Sequence, residues 1–399
     1  MSWELKKLSD CCTSIADGDH QAPPKADSGI PFVTISNINM ANQFDFTNTM
    51  FVPHSYYDSL DSKRKAQKGD ILYSVVGSFG IPVYMSETIP FVFQRHIAIL
   101  RPNSTILSQF LYYTMLSHDF YMKADAAAIG AAQRTVSLTA LRNMKIAVPQ
   151  MDVQTRIVNV LSAYDRLIEN NQKQIKLLEE AAQRLYKEWF VDLRFPGYET
   201  TPVVDGVPEG WKWTQLADIA AVNKRSISKD YPFEYIDYID IGSVSAGRIE
   251  HKTRYMLKDA PGRAKRVVRD GDVIWGMVRP NLKSYALVFH PQDTTIVSTG
   301  FAVLSAKKVP FSFLYCHVIQ DEFISYLVNC TNGAAYPAVK PVHFEEANIL
   351  IPTNNLLEKF QALAEPMFRK TEVLSKQNEV AAEARDRLLP KLMNGEVEV

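Results

Sequence analysis

A search of the 399 residues for side chains that could make or break a bond returns almost nothing. There is no GxxxxGK[ST] phosphate loop, no GxGxxG turn after a strand, no HExxH zinc pair and no GxSxG nucleophile turn. The [DNS]PP[FYW] tetrad expected of an amino-methyltransferase is also missing. The eight histidines are scattered without metal-ligand spacing. His96, beside Arg95, reads as structural, and the acidic neighbours Asp237 and Asp240, or Glu345 and Glu346, read as surface or capping residues. What remains is the chemistry of recognition. One polar stretch gathers Lys63, Arg64, Lys65 and Lys68, and a second gathers Arg254, Lys258, Arg263, Lys265, Arg266 and Arg269. The whole chain has a formal net charge of zero, which argues against a bulk polyanion binder. Locally the balance differs: residues 224–345 hold sixteen Lys and Arg against twelve Asp and Glu, and residues 20–145 eleven against eight. A modest local excess permits a nucleic-acid partner without demanding one.

Both basic stretches run into the same device. Gly69-Asp70 precedes the apolar run Ile71-Leu72-Tyr73, and Gly271-Asp272 precedes Val273-Ile274-Trp275, each pair read as a tight turn into a buried strand. Turn-like residues come next, Gly77-Ser78-Phe79-Gly80 in one case and Val278-Arg279-Pro280-Asn281 in the other. Two further loops, Gly130-Ala131-Ala132-Gln133-Arg134 and Gly333-Ala334-Ala335-Tyr336-Pro337, correspond in position and are built of small residues that allow close backbone approach.

These correspondences belong to an internal repeat. A shift of 203 maps Ile146-Ala147-Val148-Pro149 onto Ile349-Leu350-Ile351-Pro352, and Gln183-Arg184-Leu185 onto Asp386-Arg387-Leu388. Each repeat ends in a long helix. Residues 151–189 contain no Gly or Pro and carry Ile157, Leu161, Tyr164, Ile168, Asn171, Ile175, Leu178, Ala182, Leu185 and Trp189 at heptad spacing. The second helix has Asn378 and Arg385 in its seam and Pro366 in its early turns, so a break near Pro366 is expected. The reading is an α/β (α+β) chain of two tandem domains: 1–148, a helix over 149–195, a Pro/Gly-rich linker over 196–210, a second domain over 211–350 and a second helix over 351–399. Trp3 and Trp211 open the two domains, each packing an aromatic ring against the body of its own domain. Strands are expected over residues 30–35, 82–86 and 91–100, and over 233–241, 285–290 and 295–305. Four cysteines without a framework spacing, no apolar run of spanning length and no leader-like N-terminus point to a cytoplasmic chain.

The order of these features resembles the specificity subunit of a type I restriction-modification system. The resemblance rests on the paired Gly-Asp strands, the two Pro-terminated runs before the helices, Ala163-Tyr164-Asp165-Arg166-Leu167-Ile168, and the linker from Phe195-Pro196-Gly197 to Trp211. It implies a non-catalytic chain whose two domains each recognise one half of a bipartite double-stranded DNA target. It implies two long helices paired antiparallel as a spacer, two modification (adenine methyltransferase) subunits that use S-adenosylmethionine, and restriction (motor-nuclease) subunits. This chain itself needs no cofactor or metal under that reading, and no membrane. Under the resemblance, Lys63, Arg64, Lys65, Lys68, Arg263, Lys265, Arg266 and Arg269 become the phosphate-contact candidates. Ser78, Gln133 and Arg134 in the first half, and Arg279, Asn281, Lys283 and Tyr336 in the second, become the base-contact candidates. A protein–protein scaffold of two adaptor domains is the alternative. The repeat carries one more expectation: two copies of the first half could pair helix to helix and rebuild the spacer, with the second half pairing less well.

Overall fold

A computed structural model describes residues 3–39, 42–131, 133–331 and 337–398. The chain divides into two compact units that do not follow sequence order. One unit comprises residues 1–169 and 378–399, the other residues 170–377. Each long helix therefore contributes one stretch to each unit.

In the first unit the antiparallel sheet orders Cys12–Asp17, Ile97–Pro102, Ile71–Ser74 and Pro82–Tyr84. A smaller sheet orders Met50–Val52, Ile30–Val33 and Val92–Phe93. Leu72, Val83 and Ile99 from one sheet and Val33 and Phe93 from the other share a buried cluster. The opposite face of the larger sheet packs Tyr73, Ala98 and Leu100 against Phe110, Leu111 and Phe120 of helices Ser108–Leu116 and His118–Ala127. Ile157, Leu161, Leu389 and Leu392 of the long helices close the same core.

The second unit repeats the plan. One sheet orders Ala220–Val222, Phe301–Ala306, Val273–Gly276 and Tyr285–Leu287. The other orders Thr253–Met256, Tyr235–Ile239, Thr295–Ser298 and Ala264–Val267. Here the strand expected over 295–305 is two strands. Residues on both sides of Thr299-Gly300 are buried, and the chain passes from one sheet to the other at that point. Gly300 permits the passage, because a Cβ there would lie 2.5 Å from Cδ1 of Ile241. The expected strand over 91–100 divides in the same way, into Val92–Phe93 and Ile97–Pro102 in different sheets.

The two Pro-terminated runs are edge strands paired with the start of their own domain. Glu4–Lys7 runs antiparallel to Lys145–Val148, and Lys212–Gln215 to Asn348–Ile351. Trp3 meets Phe110 of its own domain edge-on, with ring centres 6.2 Å apart, as expected, whereas the ring of Trp211 packs on Phe195, 5.0 Å away, and on Phe190 at the end of the first long helix.

The first long helix spans Met151–Tyr186, and its last turn widens into a π-turn over Lys187–Val191. The second spans Asn354–Met393 without interruption. Within the second unit the two run antiparallel. Asn171 donates to Gln377 at 3.4 Å, while Trp189, further along the first helix, meets Phe360, earlier on the second, at 6.2 Å. The expected break at Pro366 does not occur. Pro366 and Ala362, whose carbonyl loses its helical donor, both face solvent, so water can take the lost bond. On the other face, buried Phe360, Ala364 and Phe368 hold the helix to its core. Restoring the missing N–H should therefore help: Pro366→Ala is expected to raise stability by about 1–2 kcal/mol in urea denaturation. An unchanged or lower midpoint would show that the proline is accommodated at no cost.

Candidate nucleic-acid interface

The Gly-Asp pairs anchor more than a turn. Asp70 is 2% exposed, and its carboxylate accepts from the backbone N–H of Gln67 at 2.8 Å and from Nε and Nη2 of Arg101 at 3.0 and 2.8 Å. Asp272 does the same, accepting from the N–H of Arg269 at 2.8 Å and from Arg225 at 2.6 Å. Each aspartate thus ties the basic stretch before the strand to a neighbouring strand or segment through an arginine. The hydrogen bond to Asp70 raises the Arg101 pKa above its ordinary value, so the guanidinium stays charged.

At the far end of each Gly-Asp strand, the turn meets the small-residue loop in the first unit and Pro337, the last residue of the corresponding loop, in the second. In the first unit Gly77 N–H donates to the Arg134 carbonyl at 2.9 Å, and Val136 N–H to the Val75 carbonyl at 2.9 Å. Ser78, Gln133 and Arg134 thereby share one exposed surface. Arg134 is held in place: its guanidinium bonds the Asp125 carboxylate and lies over the Phe79 ring, 5.5 Å from the centroid. Phe79 stacks in turn on Tyr121, at 5.9 Å and 12°. Gly80 makes room for that stack, since with φ +97° a Cβ would come within 2.6 Å of the Tyr121 ring.

In the second unit Arg279 N–H donates to the Pro337 carbonyl at 2.8 Å, and Val339 N–H to the Met277 carbonyl at 2.9 Å. Pro280–Leu282 forms a single 3-10 turn between two left-handed residues, Arg279 (φ 50°) and Lys283 (φ 56°). Asn281 is exposed, and Lys283 pairs with Asp321 at 3.0 Å. Asn281 and Lys283 border a shallow concavity with Ile324, Ser325 and Val328. Tyr336 lies outside the described residues.

The basic stretches are less uniform than their composition suggested. Lys63 and Lys68 are exposed, and no described residue pairs with either ammonium. Arg64 lies half-buried, 3.9 Å from Asp17, and Lys65 bonds the Asp58 carbonyl at 2.9 Å beside the Tyr57 ring. In the second unit Arg263, Lys265 and Arg269 are exposed. Arg266 is half-buried: burial lowers its pKa, its Nε has no partner among the described residues, and Nη1 reaches the Asn223 carbonyl and Ser226 only at 3.5 Å. The basic stretch and the turn sit at opposite ends of one four-residue strand, about 13 Å long at the usual rise. They do not form a single patch. Sequence reasoning missed Arg101, Arg225 and the Phe79–Tyr121 stack. The Gly-Asp pairs read as tight turns into buried strands, and nothing local pointed to the burial of the aspartates or named their partners.

Among the described residues no group of three His, Cys, Asp or Glu side chains could hold a metal, and no helix is long and apolar enough to cross a membrane.

Comparison with known proteins matches residues 1–180 to the family described as the type I restriction modification DNA specificity domain. The MjaIX type I restriction enzyme specificity subunit of Methanocaldococcus jannaschii is 26% identical over 316 residues, covering 75% of this chain and 71% of the relative. The HindI specificity subunit of Haemophilus influenzae is 21% identical over 441 residues, covering 92% and 95%. Among solved structures, the S subunit of a type I restriction-modification system from M. genitalium superposes with a TM-score of 0.60 at 15% identity, covering 98% of this chain and 96% of that one. The family match covers the first repeat, the second repeat copies it at a shift of 203, and the fold agrees over the whole length. Over its first repeat the chain matches the DNA specificity domain of type I restriction-modification systems, and the relatives it matches over three quarters or more of its length are specificity subunits of such systems.

Proposed function

We propose that each domain reads one half of a bipartite duplex target, through the turn after its Gly-Asp strand and the small-residue loop laid against it. The observation that carries this reading is the repetition. Two domains independently bring the same pair of loops together, and different side chains stand on them: Ser78, Gln133 and Arg134 in one, Arg279, Asn281 and Lys283 in the other. A shared frame with divergent tips suits two half-sites of different sequence. Asparagine can bond adenine, and arginine guanine, through paired contacts in the major groove. Exposed Lys63, Lys68, Arg263, Lys265 and Arg269 act at a separate place, on backbone phosphates.

The long helices, 36 and 40 residues, span about 54–60 Å at the usual rise and set the distance between half-sites. Adenine methylation falls to partner modification subunits, which bind S-adenosylmethionine and must take the target base out of the stack. Cleavage falls to restriction subunits. The test is methylome mapping of a host carrying the complete system. Asn281→Ala is expected to relax preference at one position of one half-site, by about 1–3 kcal/mol for a paired contact, and to leave the other half-site unchanged. Unaltered methylation sites would remove Asn281 from the readers.

A further inference from the structure

The repeat relation places different chemistry at one pair of equivalent positions. In the first unit, Asp165 of the first helix accepts from Nη1 of Arg385 on the second helix at 2.7 Å, and the Tyr113 hydroxyl donates to its other oxygen. A shift of 203 turns Tyr113 into Cys316, Asp165 into Phe368, and Ala182 into Arg385. In the second unit, accordingly, Cys316, Phe368 and Ala182 lie in one buried core, 0%, 3% and 0% exposed. Tyr112 and Tyr315 are equivalent and retained. Tyr315 packs edge-on against Phe368, 5.4 Å between centres, where Tyr112 stands near Asp165 and Arg385.

We infer that this exchange, Tyr113–Asp165–Arg385 in one unit for Cys316–Phe368–Ala182 in the other, selects the mate of each long helix, so that the first half accepts the second half and rejects a copy of itself. Two first halves paired in the same register would set Asp165 against Ala182. The carboxylate would then keep Tyr113 but lose its counter-charge, beside a void left by the missing guanidinium. Two second halves would press Arg385 into Phe368 and Cys316, a cation among apolar side chains with no carboxylate to meet it. Only the unlike pairing satisfies both positions. The expectation that the first half would pair with itself is therefore reversed at this site, even though Asn171 and the rest of the seam would allow it. The inference stands on packing alone. Its consequence, a chain committed to unlike half-sites rather than a palindrome, rests on the reading proposed above.

The test exchanges the two residues in the full chain. In the variant A182R/R385A, like pairing restores both native environments: the introduced guanidinium meets Asp165 of a second copy, and Phe368 meets the introduced alanine. Pairing within one chain is then mismatched at both places. Sedimentation velocity between 1 and 50 µM is expected to show a dimer fraction at least tenfold above that of the unaltered chain. A folded variant that sediments as the unaltered chain does would overturn the inference. Should A182R/R385A fail to fold, the full-length pair A182R and A182R/F368D decides. Adding F368D supplies a carboxylate at the mismatched position, and recovery of at least half the Tm lost to A182R is expected. No recovery would overturn the inference. Neither readout involves DNA, so its failure and a failure of the recognition reading can be told apart.

Discussion

Asp70→Ala and Asp272→Ala are each expected to lower stability by about 3–5 kcal/mol, the usual result of stranding a buried ionic partner. Removing the Asp70 carboxylate takes the acceptor from the Gln67 N–H and two hydrogen bonds from Arg101, whose side chain is only 23% exposed. Arg101 keeps bonds to the carbonyls of Lys65 and Ser62 but loses its only counter-charge among the described residues. The Asp272 variant should be hit as hard. Arg225 keeps Ser305 at 2.9 Å, and its Nε already lacks a partner among the described residues. Urea denaturation followed by tryptophan fluorescence measures both, and Asp119→Ala supplies the control. Asp119 pairs with Lys123 one helical turn away, with both side chains exposed, so its loss should cost under about 0.5 kcal/mol. Losses at Asp70 and Asp272 no larger than at Asp119 would mean that the Gly-Asp motif is a turn and nothing more.

That motif marks where the sequence was legible and where it was not. Gly69-Asp70 and Gly271-Asp272 were visible because the repeat doubled them, and a doubled turn before an apolar run can be read locally. Their partners were not visible. Arg101 lies on the strand beside Ile71–Ser74, 31 residues after its aspartate, whereas Arg225 precedes its aspartate by 47. The two halves reach the same ion pair from different places, Arg101 from a strand and Arg225 from the segment after Ala220–Val222, so a shift of 203 finds neither arginine from the other. The sheet-to-sheet passage at Gly300 was hidden for a different reason. Thr295–Ser298 and Phe301–Ser305 are buried at every position, and a continuously buried run does not report a change of partner strand within it. At Pro366 local propensity pointed the wrong way because it carries no knowledge of which helix face meets water. The loop pairs of the candidate interface were legible in position, through their small residues. Their contact with the turns was not, because it depends on single backbone bonds such as Arg279 N–H to the Pro337 carbonyl.

The basic stretches supply the second large effect, since composition alone could not separate their members. Lys63 and Lys68 are exposed and free of partners among the described residues, whereas Arg64 and Lys65 are engaged with Asp17 and the Asp58 carbonyl. A phosphate contact releases condensed counterions, so each lost contact should flatten the log–log salt dependence of binding by about 0.9. K63A/K68A in the assembled complex is expected to reduce that slope by about 2, with weaker binding on every duplex and an unchanged preference among sequences. R64A/K65A should change the slope by less than about 1, because those cations already spend their contacts within the domain. In the second unit the same logic puts the effect on Arg263, Lys265 and Arg269 rather than on half-buried Arg266. Titration of labelled duplex from 50 to 300 mM salt reads all of these variants. The slope is the informative quantity, since a damaged fold lowers the active fraction at every salt concentration and leaves the slope where it was. Equal slopes for K63A/K68A and the unaltered complex would place Lys63 and Lys68 away from the DNA. A larger change for R64A/K65A would mean that DNA binding takes those side chains from their present partners.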